Sequence, residues 1–295
     1  MTGAGSPYPG SVVRKAEQLT SRGTAVSRAP RSGQSPVGNI TRGTTAPNRM
    51  RRVDRWLADV HGPLLRGADH PLAVDLGFGA EPVTAVEMFD RLRAVRPAWE
   101  LVGLEIDPER VRHAARLPSA QRDGLSWRQG GFELPVEGQP TVVRAFNVLR
   151  QYREEDVPEI WALMQSRLAP GGVLIEGTCS ENGRRACWVD LAPDQVRSVT
   201  LAARFGELRL PSEVAERLPK ALIHHNVPGT PIHRFLTALD AAWIAAAPLA
   251  VYGHRQRWIT MATQVRAAGW PVLGGVRQWR RGEISVRWDA VRPEA

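Results

Sequence analysis

The sequence predicts an α/β fold built on a mostly parallel sheet. Strand-like and helix-like segments alternate between residues 71 and 176, and a glycine-rich turn follows the first of these strands. With 295 residues, 43% of them hydrophobic, the chain is long enough to bury a sizeable core. Alternation of this kind is typical of parallel strands joined by right-handed helical crossovers.

Ordered structure is expected to begin near Pro47, because Met50, Val53, Leu57 and Val60 follow at helical spacing. Five strands are then predicted, the first of them buried, with helices between them. The predicted strands are 71–76, 101–106, 125–128, 141–146 and 173–177.

The predicted helices between these strands have recognisable starts and stops. One covers residues 82–95, and the next begins at Asp107, whose side chain is suited to cap a helix that has Pro108 in its first turn. A third carries one apolar stripe over residues 157–168 and ends before Gly171.

The last part of the chain predicts a C-terminal antiparallel hairpin that completes the sheet. A helix over 255–268 is followed by two strand-like stretches, 272–279 and 283–288. A second hairpin, 185–191 with 196–205, precedes helices near 212–218 and 232–246. We assign this hairpin to an α+β insertion that could cover a substrate; the alternative is that it belongs to the sheet itself.

Four regions follow from these assignments. Residues 1–45 form a basic leader that is expected to be mostly disordered, and residues 46–180 form the α/β core that holds the glycine-rich turn. Residues 181–250 form the insertion, and residues 251–295 supply the last helix and hairpin.

Charge and cysteine content narrow the class of protein. The net charge is +9, and residues 1–55 hold ten Lys or Arg against two acids, so the remainder is nearly neutral. No apolar run reaches the roughly 18 residues of a membrane-spanning helix, and the N-terminus lacks the apolar core of a secretory signal. Two cysteines, without a metal-ligand spacing, favour a reducing, cytoplasmic setting and no metal site.

The turn after the first strand carries the strongest functional signal. Asp75 ends the strand, and Gly77 and Gly79 allow a tight turn that lets a ligand approach the backbone at a helix N-terminus. Pro82 stands where a dinucleotide fingerprint needs its third glycine, which argues against NAD or FAD.

Residues 72–176 resemble, in order, the class I S-adenosylmethionine-dependent methyltransferases. The resemblance rests on the Asp75–Gly77 turn, on the acid Glu105 followed by Ile106 after the second strand, and on the segments 130–135, 146–152 and 168–176. It implies a Rossmann-like methyltransferase sheet with S-adenosylmethionine as cofactor. The cofactor-binding residues that it implies are Asp75, Gly77, Gly79, Glu105, Ile106, Gly131, Phe132 and Asn147.

The sequence does not identify the methyl acceptor. Arg150 and Tyr152 are expected to face it, and His224 and His225 are candidates within the insertion, but no catalytic base is named. RNA could bind the Arg-rich leader through its phosphates, whereas a small molecule could bind under the insertion. A non-catalytic cofactor-binding or interaction protein that retains the fold is the alternative function. The oligomeric state stays open.

Overall fold

One nine-stranded sheet forms the centre of the computed structural model, which describes residues 36–40 and 45–294. The strand order across the sheet is β3-β2-β1-β4-β5-β6-β7-β9-β8. The strands are β1 (Leu72–Leu76), β2 (Glu100–Glu105), β3 (Leu125–Gln129), β4 (Val142–Phe146), β5 (Val173–Cys179), β6 (Arg185–Leu191), β7 (Val196–Ala203), β8 (Val272–Leu273) and β9 (Glu283–Arg287).

The first five strands run parallel in the order β3-β2-β1-β4-β5, which confirms the Rossmann-like sheet. All residues of β4 and β5 are buried, as expected for strands that helices cover on both faces. The order reverses between β1 and β4, and in such sheets ligands bind in the crevice at the carboxyl ends of the strands.

Helices pack on both faces of the sheet. Trp56 and Phe89 belong to the core cluster of one face, and Trp161, Phe235 and Met261 belong to that of the other. The helices are α1 (Arg51–Val60), α2 (Gly62–Gly67), α3 (Val83–Val95), α4 (Pro108–Arg116), α5 (Val157–Gln165), α6 (Lys220–Ile223), α7 (Pro231–Ala245), α8 (His254–Ala267) and α9 (Val276–Trp279). Asp107 caps α4 as predicted, since its side chain accepts a hydrogen bond from the Glu109 N–H at 2.8 Å.

The hairpin of β6 and β7 belongs to the sheet, which corrects its assignment to the insertion. Gly177 of β5 pairs antiparallel with Trp188, and Thr200 of β7 pairs with Ser285 of β9. Trp188 contacts the core of one face while Cys187 packs in the core of the other, so β6 is covered on both sides. The inserted segment is therefore helical, and it lies between β7 and α8.

The C-terminal strands β8 and β9 are antiparallel, as predicted, but the first is only two residues long. Gly274 has φ 69°, a left-handed conformation that interrupts a strand, and α9 follows in place of the predicted strand continuation.

The leader prediction is tested only in part, because residues 1–35 and 41–44 lie outside the described residues. Residues 36–40 do have a defined place, with Val37 buried, although order was expected only from about Pro47. Within the described ranges, no helix is both long and apolar enough to cross a bilayer.

Candidate cofactor site

The glycine turn links β1 to α3 at the carboxyl edge of the parallel strands. Gly77 and Gly79 have φ angles of 72° and 85°, in the left-handed region that disfavours side chains. The Gly77 N–H donates to the Leu104 carbonyl at 2.7 Å, which fixes the turn against the end of β2. The backbone conformation therefore favours glycine at both positions, as the sequence predicts.

Glu105 ends β2 with its carboxylate turned toward this glycine turn. Its Oε2 accepts from the Gly79 N–H at 3.0 Å and its Oε1 accepts from the Ile106 N–H at 2.9 Å. The guanidinium of Arg110 lies 3.5 Å from Oε2, and the Glu105 side chain is almost fully buried. Oε1 also accepts from the Asp107 N–H at 3.4 Å, so each carboxylate oxygen has two partners. These contacts orient the group, and the two longer ones, with Asp107 and Arg110, are those that a ligand would have to replace.

The end of β3 forms the opposite wall of the crevice. The Gly130 N–H donates to the Glu105 carbonyl at 3.1 Å, so the two strand ends are held side by side. A Cβ on Gly131 would lie 2.0 Å from the carbonyl oxygen of Val37, so only glycine fits there. The ring of Phe132 is buried and meets the Tyr152 ring edge-on, with centroids 5.1 Å apart.

Residues 36–40, which we call the strap, lie across these strand ends. The Val37 carbonyl accepts from the Phe132 N–H at 3.0 Å, and the Val37 N–H donates to Glu133 Oε2 at 2.8 Å. The Asn39 N–H donates to the Tyr152 hydroxyl, and the Asn39 carbonyl accepts from Gln151 Nε2 at 3.0 Å. Backbone groups of the strap are thus tied to both β3 and the segment after β4.

The strap leaves a cavity of about 10 Å³ between itself and the strand ends. This is room for about one water molecule. The cavity is lined by Val37, Asn39, Leu76, Gly77, Glu105, Ile106, Gly130, Gly131, Phe132 and Val148. Five of the eight residues predicted to bind cofactor therefore meet here: Gly77, Glu105, Ile106, Gly131 and Phe132.

Asp75 does not line this cavity, and its contact with a cofactor stays a prediction. Its carboxylate is held by Arg144, the cross-strand neighbour on β4, through bonds of 2.9 and 2.8 Å. Arg144 also contacts Asp54 of α1 at 2.5 Å. Burial alone would lower the pKa of Arg144, but the two carboxylates raise it, so the guanidinium stays charged. Asp75 is thus a member of a buried ion network under the turn.

Asn147 lies at the end of β4 in a left-handed conformation, with φ 58°. Its Oδ1 accepts from the Cys179 N–H at 2.9 Å, and its Nδ2 lies 3.4 Å from Cys179 Sγ. The amide therefore bridges β4 to β5 and does not line the cavity, and its contact with a cofactor stays a prediction.

The predicted acceptor residues lie on the side of β4 and β5. Tyr152 is buried, and burial raises the pKa of its phenol to about 12, so it stays neutral as a strap contact. The Arg150 side chain is largely exposed. Its pKa is lowered, first because part of the guanidinium is buried and then because the charge of Arg217 is nearby. His225 contacts Glu154 just after β4, whereas His224 lies 3.1 Å from Lys220 on α6.

Sequence reasoning missed the strap and its anchors. Val37 and Asn39 make these contacts through backbone groups, which leave no periodic pattern in the sequence, and Glu133 meets them with its side-chain carboxylate. The only sequence signal is weak: Val37 and Ile40 interrupt a stretch rich in Ser, Thr, Gly and Arg.

Comparisons with known proteins add similar folds but no close relative. No protein-family model and no curated protein matches the chain. Among solved structures, a protein of Pyrococcus horikoshii is 12% identical over 48% of this chain and 73% of its own, with a TM-score of 0.35. Human N-acetylserotonin methyltransferase is 17% identical over 46% of this chain, with a TM-score of 0.30.

An amino pentose methyltransferase of Micromonospora echinaspora is 21% identical over 50% of this chain and 66% of its own, with a TM-score of 0.30. The match spans only 39% of the human enzyme.

Proposed function

We propose that the protein is an S-adenosylmethionine-dependent methyltransferase. The observation that supports this most is the placement of Glu105. Its oriented, buried carboxylate stands between the glycine turn of β1 and the Gly131–Phe132 wall of β3. A carboxylate at the end of the second strand suits the two vicinal hydroxyls of a ribose, because it accepts two hydrogen bonds.

The residues around Glu105 fit the rest of such a cofactor. Ile106 and Phe132 offer apolar surface to a flat base, and the turn at Gly77 and Gly79 leads to the N-terminus of α3, which favours an anionic group. When bound, S-adenosylmethionine supplies a methyl group activated by a sulfonium. The contribution of the chain is then chiefly to position the cofactor and the acceptor.

The strap must move for an adenine ring to enter between Ile106 and Phe132, since about 10 Å³ holds no ring. Its displacement would free the Phe132 N–H, now bonded to Val37, for a ring nitrogen. Gly131 lacks the Cβ that would block this approach.

The acceptor would lie over β4 and β5, where Arg150 and His225 stand near the Asn147–Cys179 bridge. A general base is needed only if the acceptor carries a proton at working pH. We assign no such base.

Calorimetric titration with S-adenosylhomocysteine tests the proposal. The wild-type protein should bind it and should not bind NAD. Glu105→Ala should weaken binding by about 1–3 kcal/mol, the cost of losing hydrogen bonds to a charged group. Glu109→Ala removes a carboxylate from exposed surface on α4 and serves as the matched control. If both variants bound with equal affinity, Glu105 would not contact the cofactor. If the wild-type protein did not bind S-adenosylhomocysteine, the proposal would be refuted.

A transfer assay separates an enzyme from a non-catalytic cofactor-binding protein. Labelled methyl groups should pass from S-adenosylmethionine to cellular RNA or to a small-molecule extract. Cofactor binding with no transfer to either fraction would instead favour the non-catalytic alternative.

A further inference from the structure

Two groups of arginines that are far apart in sequence form one surface, which we call the arginine face. Its members come from α1 and from α9 with the turn that follows it. They are Arg51, Arg52, Arg55, Arg277, Arg280 and Arg281. Arg52 donates to the Arg281 carbonyl, and Arg277 and Arg281 both contact Asp59 of α1, Arg277 at 2.8 Å.

The arginine face carries more positive charge than its neighbours neutralise. Asp59 is shared by two guanidinium groups. The other acids near Arg52 are Glu283, which is fully buried, and Glu207, which also contacts two further arginines, Arg184 and Arg204. Arg51, Arg55 and Arg280 are exposed, and in the described part of the chain no carboxylate oxygen lies within 4.0 Å of them. Like charges held together on a surface attract a polyanion.

The face lies at the same edge of the sheet as the cofactor crevice. β7 runs in the direction of β5, since each is antiparallel to β6, so the turn before Glu283 meets the carboxyl end of β7 at Ala202. Arg49, just before α1, donates to the Ser180 carbonyl at 3.1 Å. The segment that leads into α1, and so to the arginine face, therefore lies one residue beyond the end of β5, beside the Asn147–Cys179 bridge.

We propose that the arginine face docks the phosphodiester backbone of a nucleic acid. The inference rests on the proposed methyltransferase function and deepens it, because it places the nucleic acid beside the acceptor side of the site. Guanidinium groups fit phosphates with two parallel hydrogen bonds. The exposed apolar neighbours on these elements are aliphatic, Val60, Leu273 and Val276, and among the described residues of α1 and α9 no Trp or Phe is exposed as a membrane anchor would be.

Fluorescence anisotropy with a labelled RNA hairpin across a salt series tests the face. The triple variant Arg51→Gln, Arg55→Gln, Arg280→Gln removes the three exposed guanidinium groups. Its matched control, Arg112→Gln, Arg128→Gln, Arg234→Gln, removes three exposed arginines from other elements. The face variant should bind at least tenfold more weakly, with a salt slope smaller by about 2–3, whereas the control keeps both. Equal loss in the two triples would overturn the proposal.

Titrations with two other phosphate-bearing ligands show which kind of molecule the arginine face binds. A DNA duplex of the same sequence and vesicles containing phosphatidylserine are titrated under the same conditions. Face-dependent binding of RNA or of DNA supports the proposal and names the nucleic acid, whereas face-dependent binding of vesicles alone overturns it.

Calorimetry with S-adenosylhomocysteine separates this proposal from the function on which it rests. Unchanged cofactor affinity in the face variant, with weaker nucleic-acid binding, supports both. Face-dependent RNA binding by a protein that binds no cofactor would support the face and refute the methyltransferase proposal.

Discussion

The carbonyl oxygen of Val37 accepts a hydrogen bond from the Phe132 N–H at 3.0 Å, across 95 residues of sequence. This bond places the strap at the end of β3, where an adenine ring would otherwise meet the backbone. Glu133 reinforces it by accepting from both the Gly131 N–H at 2.9 Å and the Val37 N–H at 2.8 Å. A few backbone hydrogen bonds, each with a net value of about 1 kcal/mol, hold the strap in place.

Removing the strap should therefore tighten cofactor binding. A protein lacking residues 1–45 should bind S-adenosylhomocysteine more strongly than one lacking residues 1–35, which keeps the strap. The physical reason is that a ligand binding only the open state loses affinity in proportion to the closed fraction. Calorimetry on the two truncated proteins measures the difference.

Amide hydrogen exchange provides the control for this prediction. The Phe132 N–H should exchange faster in the shorter protein, since its acceptor on Val37 is gone. Weaker binding by the shorter protein, with the expected faster exchange, would make the strap a wall of the site rather than an obstruction.

The parallel half of the fold could be predicted because its signals are local. Strands β1, β4 and β5 are buried apolar runs bounded by turns, and Gly77 and Gly79 mark a turn whose backbone conformation disfavours side chains. Glu105 is the last residue of β2 and Phe132 lies three residues beyond the end of β3, so their positions at the carboxyl edge follow from the parallel order.

Asp75 and the β6–β7 hairpin show what the sequence does not determine. An acid at the end of a strand can face a crevice or a neighbouring strand, and the pairing of Asp75 with Arg144 depends on the β1–β4 register. Whether β6 joins the sheet depends on packing of Trp188 against Trp56, with ring centroids 5.5 Å apart, which no local pattern records.

The Asp75–Arg144–Asp54 network should stabilise the fold rather than bind cofactor. Arg144→Met leaves the buried carboxylate of Asp75 without its charged partner, whereas Asp54 keeps its ion pair with Arg91. Breaking a buried pair in this way typically costs about 3–5 kcal/mol of unfolding free energy. Arg91→Met removes the more exposed partner of Asp54 and should cost about 1 kcal/mol or less. Urea unfolding measures the loss of unfolding free energy in both variants. Equal losses would show that the buried Arg144 contacts stabilise the fold no more than the more exposed Arg91–Asp54 pair.

Glu176 should make stability depend on pH. It is fully buried on β5, and burial raises its pKa from 4.5 to about 8. The folded state therefore holds a proton that the unfolded state releases above about pH 4.5, so this stability is complete below that pH and is lost as pH rises toward 8. Glu176→Gln should flatten the stability profile between pH 5 and 8, measured by urea unfolding at several pH values.

The exposed Glu159 on α5 supplies the control for that measurement. Glu159→Gln should leave the slope of stability with pH unchanged. A Glu176→Gln profile as steep as that of the wild type would mean that other buried acids, such as Glu283 with a pKa raised by burial to about 7, dominate.

Gly183 should be the more sensitive of two glycines that share one backbone conformation. Gly183 and Gly206 have φ angles of 66° and 85°, so alanine is strained at both. A Cβ on Gly183 would lie 2.0 Å from the Arg49 carbonyl, whereas a Cβ on Gly206 meets nothing within 4 Å. Gly183→Ala should therefore lower the unfolding free energy by about 1–3 kcal/mol more than Gly206→Ala, the usual cost of overpacking.

The same substitution should reach the arginine face, because the displaced Arg49 backbone leads directly into α1. Urea unfolding of the two variants gives the stability difference, and RNA anisotropy gives the effect on docking. Equal stability of Gly183→Ala and Gly206→Ala would show that the turn between β5 and β6 yields without moving the start of α1. A stability loss with unchanged RNA affinity would mean that the position of Arg49 does not set the geometry of the face.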